Sequence, residues 1–196
     1  MPFLEILTRT FNQRPIMLGI NQASLEEQTD DDWIQTLLVD EERRGIGWSH
    51  ENMARYAPKL VGDYIWCLDD DDMCICETLV SDLKAIVAEH DPDVVMVRMN
   101  HGNGRIIPGY NWGSRPIYGQ VDVTSSIVRR RLWQANAHAM IPGWYGSDYS
   151  LINAIWMDKP IVYWHDMVVS KRQRQSFGKA ENEEIENDSQ EISDQD

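Results

Sequence analysis

The sequence predicts an α/β domain built on a mainly parallel sheet. Over the first hundred residues, short apolar runs of strand length alternate with longer segments of helical period, the pattern of strands joined by crossover helices. Two of those runs, ending at Val39-Asp40 and Leu68-Asp69, deliver an acid to the strand end, where open α/β sheets bind ligands. The chain shows no internal repeat, and its 196 residues suit one domain with a sizeable core.

The elements read in order as follows. Phe3 to Thr8 is a short buried strand, and Thr10 to Pro15 carries turn chemistry, with Pro15 at a first helical position. Pro15 to Gln28 is a helix whose apolar face is Ile16, Ile20, Ala23 and Leu25. Thr29-Asp30-Asp31-Asp32 breaks it before a second strand, Trp33 to Val39. The polar segment Glu41 to Gly47 leads to Ser49, an N-cap type, and a helix to Ala57. Val61 to Leu68 is the third strand, Thr78 to Glu89 an amphipathic helix, and Asp93 to Met99 the fourth strand.

His101 to Gly119, rich in Gly, Asn and Pro, reads as a loop or hairpin. Val121 to Ser125 is a short strand, Ser126 to Ala137 a helix carrying Arg129-Arg130-Arg131, and Asp148 to Met157 a helix. Ile161 to Trp164 is a last strand. Trp33, Trp66, Trp133, Trp156 and Trp164 fall within these elements and are expected in the core.

The net charge of −14 argues against a protein that grips a nucleic-acid backbone. From Lys179 to Asp196 one lysine faces eight acids, with Ile185 and Ile192 as the sole aliphatics beyond alanine. Such a segment cannot bury enough surface to offset its ordering entropy, so 179–196 is expected to be a disordered acidic tail after a domain spanning 1–178. No apolar stretch is long enough to span a membrane, and the N-terminus lacks the pattern of a signal peptide. Cys67, Cys74 and Cys76 suit the reduced thiols of a cytoplasmic protein, and their spacing matches no common zinc pattern.

Asp69-Asp70-Asp71-Asp72 carries the chemistry. Four adjacent carboxylates repel one another, and a cation or cationic ligand relieves them; a solvated acidic turn is the alternative. Hard ions such as Mg2+ and Mn2+ prefer these oxygen donors and commonly share them with substrate phosphates. In an extended segment Asp69 and Asp71 share one side and Asp70 points away.

The ordered set Thr8-Arg9-Thr10-Phe11-Asn12, Gln28-Thr29, Val39-Asp40, Gly45 to Tyr56, Leu68-Asp69-Asp70-Asp71 and Gly146-Ser147-Asp148 resembles a GT-A-fold glycosyltransferase of the family 2 type, over residues 3 to about 170. The resemblance implies a Rossmann-type three-layer sandwich, with a nucleotide-binding half over about 1–100 and an acceptor-side half over about 101–170. It implies nucleotide contacts from Thr8, Arg9, Asn12, Asp40, Asn52, Asp69 and Asp70, and a Mn2+ or Mg2+ ion on Asp69 and Asp71 with His165 as third ligand. It implies Asp148 as general base, an inverting transfer from a UDP-linked sugar, and Trp112, Trp144 and Tyr145 against the acceptor. The chain departs from the pattern at Glu41-Glu42-Arg43, where a second acid and a Gly-Ser turn are usual, and at Ser147, where Glu is usual.

Each residue also has a plainer reading. Asp40 can cap a turn, Asp148 can cap its helix, Arg9 can form an ordinary ion pair, His165 can be structural and Trp144 a core plug. The basic stretch Ser170 to Ser176 reads as a lid over a diphosphate or as a partner of the acidic tail. A nucleotidyltransferase would want a glycine-rich loop that Thr8 to Pro15 lacks, and a sugar-nucleotide-binding protein without turnover remains a further alternative. The acceptor, whether saccharide, lipid-linked saccharide, protein or small metabolite, is not specified by these residues.

Overall fold

In the computed structural model of the chain, residues 1–102, 104–109, 112–141 and 143–173 are described. The acidic tail and the last part of the basic stretch lie outside them.

Eight strands form one sheet, in the order β2 (Trp33–Asp40), β1 (Leu4–Phe11), β3 (Tyr64–Cys67), β7 (Ser126–Arg129), β5 (Val94–Asn100), β8 (Val162–Arg172) and β4 (Asp72–Cys74), with β6 (Ile106–Ile107) paired to β5. The pairs β2/β1, β1/β3 and β5/β8 are parallel, while β7, β4 and β6 run the other way. Helices α1 (Pro15–Glu26) and α3 (Leu79–His90) pack on one face through Leu25, Leu79 and Leu83 against Leu4, Trp66 and Val95. Helices α2 (Gly45–Tyr56), α4 (Arg130–Asn136) and α5 (Ser147–Met157) cover the other through Met53, Trp133, Leu151 and Ile155 against Leu7, Ile65 and Met96. These two cores make a three-layer α/β sandwich, as the resemblance implies. Trp66 and Trp133 are fully buried.

Several local readings are corrected. In α1 the buried residues are Met17, Asn21, Ser24 and Leu25, whereas Ile16 is 64% exposed. Polar side chains face inward because they bond the backbone beyond Leu68: Asn21 Nδ2 donates to the carbonyls of Asp69 (2.9 Å) and Asp72 (3.0 Å), and the Cys74 amide donates to Ser24 Oγ (3.0 Å). Helix α2 begins at Gly45, ahead of Ser49, and the third strand is shorter than expected. Val123–Ser125 is a 3-10 turn capped by Asp122, and the first part of the expected helix 126–137 is strand β7, inserted between β3 and β5. The last strand continues to Arg172, because Ser170, Lys171 and Arg172 pair with β4. That pairing makes 170–172 part of the sheet rather than a movable lid.

No helix among the described residues is long and apolar enough to cross a membrane. Cys67, Cys74 and Cys76 are buried free thiols.

Candidate active site

The carboxyl ends of β1, β2 and β3 lie side by side, Phe11 beside Asp40 and Leu7 beside Cys67. A cavity of about 670 Å3 opens above them, with Arg9, Arg14, Asp69, Asp70 and Asp71 on its inner side. Asp122, Asp148 and Arg172 come from the far half of the chain to close it.

The turn after β3 is held by amides from both sides. Asn21 bonds two of its carbonyls, and Gln173 Nε2 donates to the carbonyls of Asp70 (3.0 Å) and Asp72 (3.3 Å), while the Gln173 amide donates to that of Asp71 (2.8 Å). With its backbone fixed, the turn sorts its side chains. One carboxylate oxygen each from Asp69, Asp71 and Asp72 lie within 4.8 Å of one another. Asp70 points away, accepting from Arg14 Nη1 (2.8 Å) and Thr10 Oγ1 (2.8 Å), while the turn, closed by the Asp72 amide on the Asp69 carbonyl, brings Asp72 to the side of Asp69 and Asp71.

Charge on this floor is unevenly compensated. Asp69, Asp70, Asp71, Asp72, Asp122 and Asp148 meet the guanidinium groups of Arg9, Arg14 and Arg172. Burial, reinforced by Asp71 and opposed by Arg172, drives the Asp72 carboxyl pKa well up. Burial and the nearby Asp148 push Asp122 to about 6, and burial pushes Asp70 to about 6 against the pull of Arg14. A surplus of hard oxygen donors around Asp69, Asp71 and Asp72 fits a hard divalent cation.

Asp148 behaves differently. Burial opposes its ionisation, yet the charge of Arg9 and the hydrogen bond with His50 outweigh it and hold its pKa below the usual carboxylate value. Arg9 Nη1 is 3.7 Å from Asp148 Oδ1, and the same guanidinium donates to both oxygens of Asp69, its Nε at 2.6 Å from Oδ1. Asp148 does not cap its helix: α5 starts at Ser147 with Gly146 in the cap position, and Ser147 Oγ accepts the Trp144 amide (2.9 Å) to close the turn before it. An ionised acid in that first turn also suits the helix dipole.

Helix α2 meets the loop before α5 through two glycines. A Cβ on Gly143 would lie 1.8 Å from the Gly47 carbonyl oxygen, so the backbones touch and only glycine fits. Three residues past Gly47, His50 reaches Asp148 with its Nε2 2.8 Å from Oδ1.

The other expected residues divide. Arg9, Asp40, Asp69, Asp70, Tyr145 and Asp148 line the cavity. Asp40 also caps a turn, accepting from the Arg44 amide (2.6 Å) and Arg44 Nε (3.0 Å), and these bonds hold its pKa down against burial. Thr8 is fully buried and accepts from Gln35 Nε2 (2.8 Å), while Asn12 is exposed and bonds the Glu41 carbonyl (3.4 Å). Neither lines the cavity, and Asn52 does not either. His165 lies seven residues before Arg172 on β8, roughly 20 Å away at strand spacing, so it does not meet the carboxylate cluster, where Asp72 stands third instead.

Trp112 packs edge-on against Trp164 (4.8 Å between ring centroids), with Arg98 over its face, away from the cavity. Trp144 is sandwiched between Tyr118, stacked at 5.8 Å, and Gly146, whose added Cβ would strike its ring. It therefore braces the loop, and the aromatic rings that reach the cavity are those of Phe11, Tyr118, Tyr145 and Tyr149.

His50, Asn21 and Asp122 take part without having been singled out from the sequence, and Arg172 and Gln173, read there as part of a lid, take part from the end of β8. Their spacing in the chain carries no motif; only the fold brings them together.

No protein-family model matches the chain, and no curated protein is similar enough in sequence to match. Solved structures do match. Residues 1–349 of TarS from S. aureus align with a TM-score of 0.65 at 14% identity, covering 88% of this chain and 60% of that one. The same TarS fragment in complex with UDP-GlcNAc aligns at 0.63 and 14% identity, over 89% of this chain and 59% of that one. The mannosyltransferase PcManGT from Pyrobaculum calidifontis, in complex with GDP-Man and Mn2+, aligns at 0.60 and 13% identity, over 88% and 57%.

The fold is that of the GT-A-type glycosyltransferases. The chain spans about 60% of the length of the TarS fragment it matches. At this level of identity the likeness is one of GT-A architecture, and function has to be argued from the cavity.

Proposed function

We propose that this GT-A domain transfers a sugar from a nucleotide-diphosphate sugar to an acceptor hydroxyl, with inversion and with Asp148 as the base. The observation that carries the reading is that one buried guanidinium, Arg9, spans Asp69 of the carboxylate cluster and Asp148 inside a single cavity. The two functions of such a transfer, holding the leaving diphosphate and deprotonating the acceptor, need that adjacency.

Asp69, Asp71 and Asp72 would hold Mn2+ or Mg2+, and such an ion supplies Lewis-acid stabilisation of a departing diphosphate. Arg43 and Arg105, exposed on the cavity lining, suit the diphosphate oxygens, and Asp40, ionised, suits a ribose hydroxyl. Asp148 is held as the carboxylate, the form that accepts a proton. Tyr118, Tyr145 and Tyr149 offer flat apolar surface beside it for an acceptor. The related folds are solved with UDP-GlcNAc in one case and GDP-Man in another, and we take a UDP-linked sugar as the donor here. Three reduced thiols agree with a cytoplasmic setting.

The test is release of nucleoside diphosphate from UDP-GlcNAc and GDP-mannose in the presence of Mn2+. Asp148→Asn should lower turnover by about 100-fold or more while nucleotide binding changes little. Asp71→Ala should weaken binding and turnover together. Full activity in Asp148→Asn would remove the base from the account.

A further inference from the structure

His50 is buried at 0% exposure, and its contact with Asp148 is made by Nε2 at 2.8 Å. Its other nitrogen, Nδ1, is also buried and has no hydrogen-bond partner among the described residues. Asp148 is held ionised, and a carboxylate only accepts. The proton of the bond therefore belongs to Nε2. His50 thus donates from Nε2 to the acid.

The backbone is arranged to keep it there. Gly47, one helical turn before His50, touches Gly143, five residues before Asp148, so α2 and the loop that carries Asp148 are locked at close range. Among the described residues, the groups that face Asp148 are Arg9 from β1, His50 from α2, Asp122 beside β7 and Arg172 from β8. His50 lies closer to Asp148, at 2.8 Å, than Arg9 does at 3.7 Å.

We propose that His50 is the positioning residue of Asp148, an inference that rests on reading Asp148 as the acceptor's base. His50 and Arg9 both approach Oδ1. That directs the acceptor's proton to Oδ2. As the acceptor oxygen forms its bond to the anomeric carbon, the bond from that carbon to the diphosphate oxygen breaks, and its electron pair leaves with the diphosphate. The proton on Oδ2 passes later to water, and His50 keeps its own proton throughout. Without His50 only the longer contact with Arg9 remains on Oδ1, and the carboxylate is a stronger base of poorer aim.

The test compares His50→Gln and His50→Ala with the unaltered chain, using release of nucleoside diphosphate from UDP-GlcNAc and GDP-mannose with Mn2+. The glutamine amide can donate from nearly the same place, and alanine cannot. His50→Ala should lose at least about 10-fold in kcat, with the donor KM within about threefold, and the acid limb of its pH profile should move up as the carboxylate loses a donor. His50→Gln should recover much of the loss. A structural role alone would move KM and folding without this split, and equal loss in both variants overturns the proposal.

The result separates two failures. If Asp148→Asn is fully active, the base itself is misassigned. If Asp148→Asn is inactive while His50→Ala keeps the native kcat and pH profile, only the role of His50 falls. A second measurement needs neither turnover nor a variant that folds. Nitrogen NMR of labelled histidine should find the proton of the contact on His50 Nε2, shared with Asp148. A bare Nε2 overturns the proposal.

Discussion

Arg9 and Asp148 face one another across 3.7 Å, and the rest of that guanidinium is spent on Asp69. Arg9 is 7% exposed, so both carboxylates rely on it rather than on water. Removing one partner of a buried pair leaves the other charges uncompensated. Arg9→Met should therefore destabilise the fold by about 3–5 kcal/mol, read from urea unfolding. The charge of Arg9 is also the largest influence holding the Asp148 pKa down, so the acid limb of the activity profile should rise in Arg9→Met and be mostly restored in Arg9→Lys. An unchanged profile in Arg9→Met would contradict the coupling.

Asn21 shows why a helix here turns polar groups inward. Fully buried, it bonds the carbonyls of Asp69 and Asp72 and accepts from Gln35 Nε2 (2.7 Å). Asn21→Ala should cost about 2–3 kcal/mol, since it strands buried polar groups. It should also weaken Mn2+ binding, because the turn presenting Asp69 and Asp72 loses one of its two clamps. Calorimetric titration with Mn2+ alone reads the second effect, and native affinity would contradict it.

The Gly47–Gly143 contact admits no side chain. Gly143→Ala should destabilise the chain by about 3 kcal/mol and lower turnover, because α2 must back away and carry His50 with it. Gly19 makes a control on an exposed stretch of α1 with open space around it, where alanine should stabilise by about 1 kcal/mol. Paired thermal melts would show the opposite signs.

His101 lines the cavity and accepts from Arg172 Nη1 (2.8 Å). Burial, then the charges of Arg172 and Arg105, lower its pKa to about 4. The unfolded chain binds a proton there near pH 6.5, so its contribution to stability is present above that pH and lost as pH falls toward 4. His101→Gln keeps an acceptor for Arg172 and removes the titration. The stability of the variant relative to the native chain should rise steadily from pH 6.5 down to 4.5, measured by urea unfolding. A pH-independent difference would show that His101 does not titrate in this window.

Much of this architecture is legible in the chain, because the first hundred residues alternate strand and helix with clean periods and end their strands on acids. Legibility falls where tertiary contacts override pattern. Arg129-Arg130-Arg131 looks like a helix face, yet Arg129 ends β7. Arg129 and Arg131 pair with Asp91 and Asp93, and Arg130 lies 4.0 Å from Asp63. The buried face of α1 is hidden because Asn21 and Ser24 bury for hydrogen bonds rather than for hydrophobicity. Asp69 and Asp71 stand out as acids after a strand end and Asp148 as one at a helix start, but a lone histidine in Gly45–Tyr56 gives no sign of which residue, 98 positions on, it will touch. The resemblance offers His165 as a third ligand, and the extension of β8 to Arg172 keeps it away from the cluster.

The most direct test of the central claim is a thermal melt with UDP and GDP, each with and without Mn2+, on the native chain and on Asp71→Ala. A ligand at 100 times its Kd adds about 2.7 kcal/mol, which for a domain of this size raises the midpoint by about 5–10 °C. The account predicts that rise for one nucleotide, only with Mn2+, and only in the native chain. No rise with either nucleotide in any combination would leave the acids of the turn without a cation or a substrate and contradict the proposal of a sugar-nucleotide transferase.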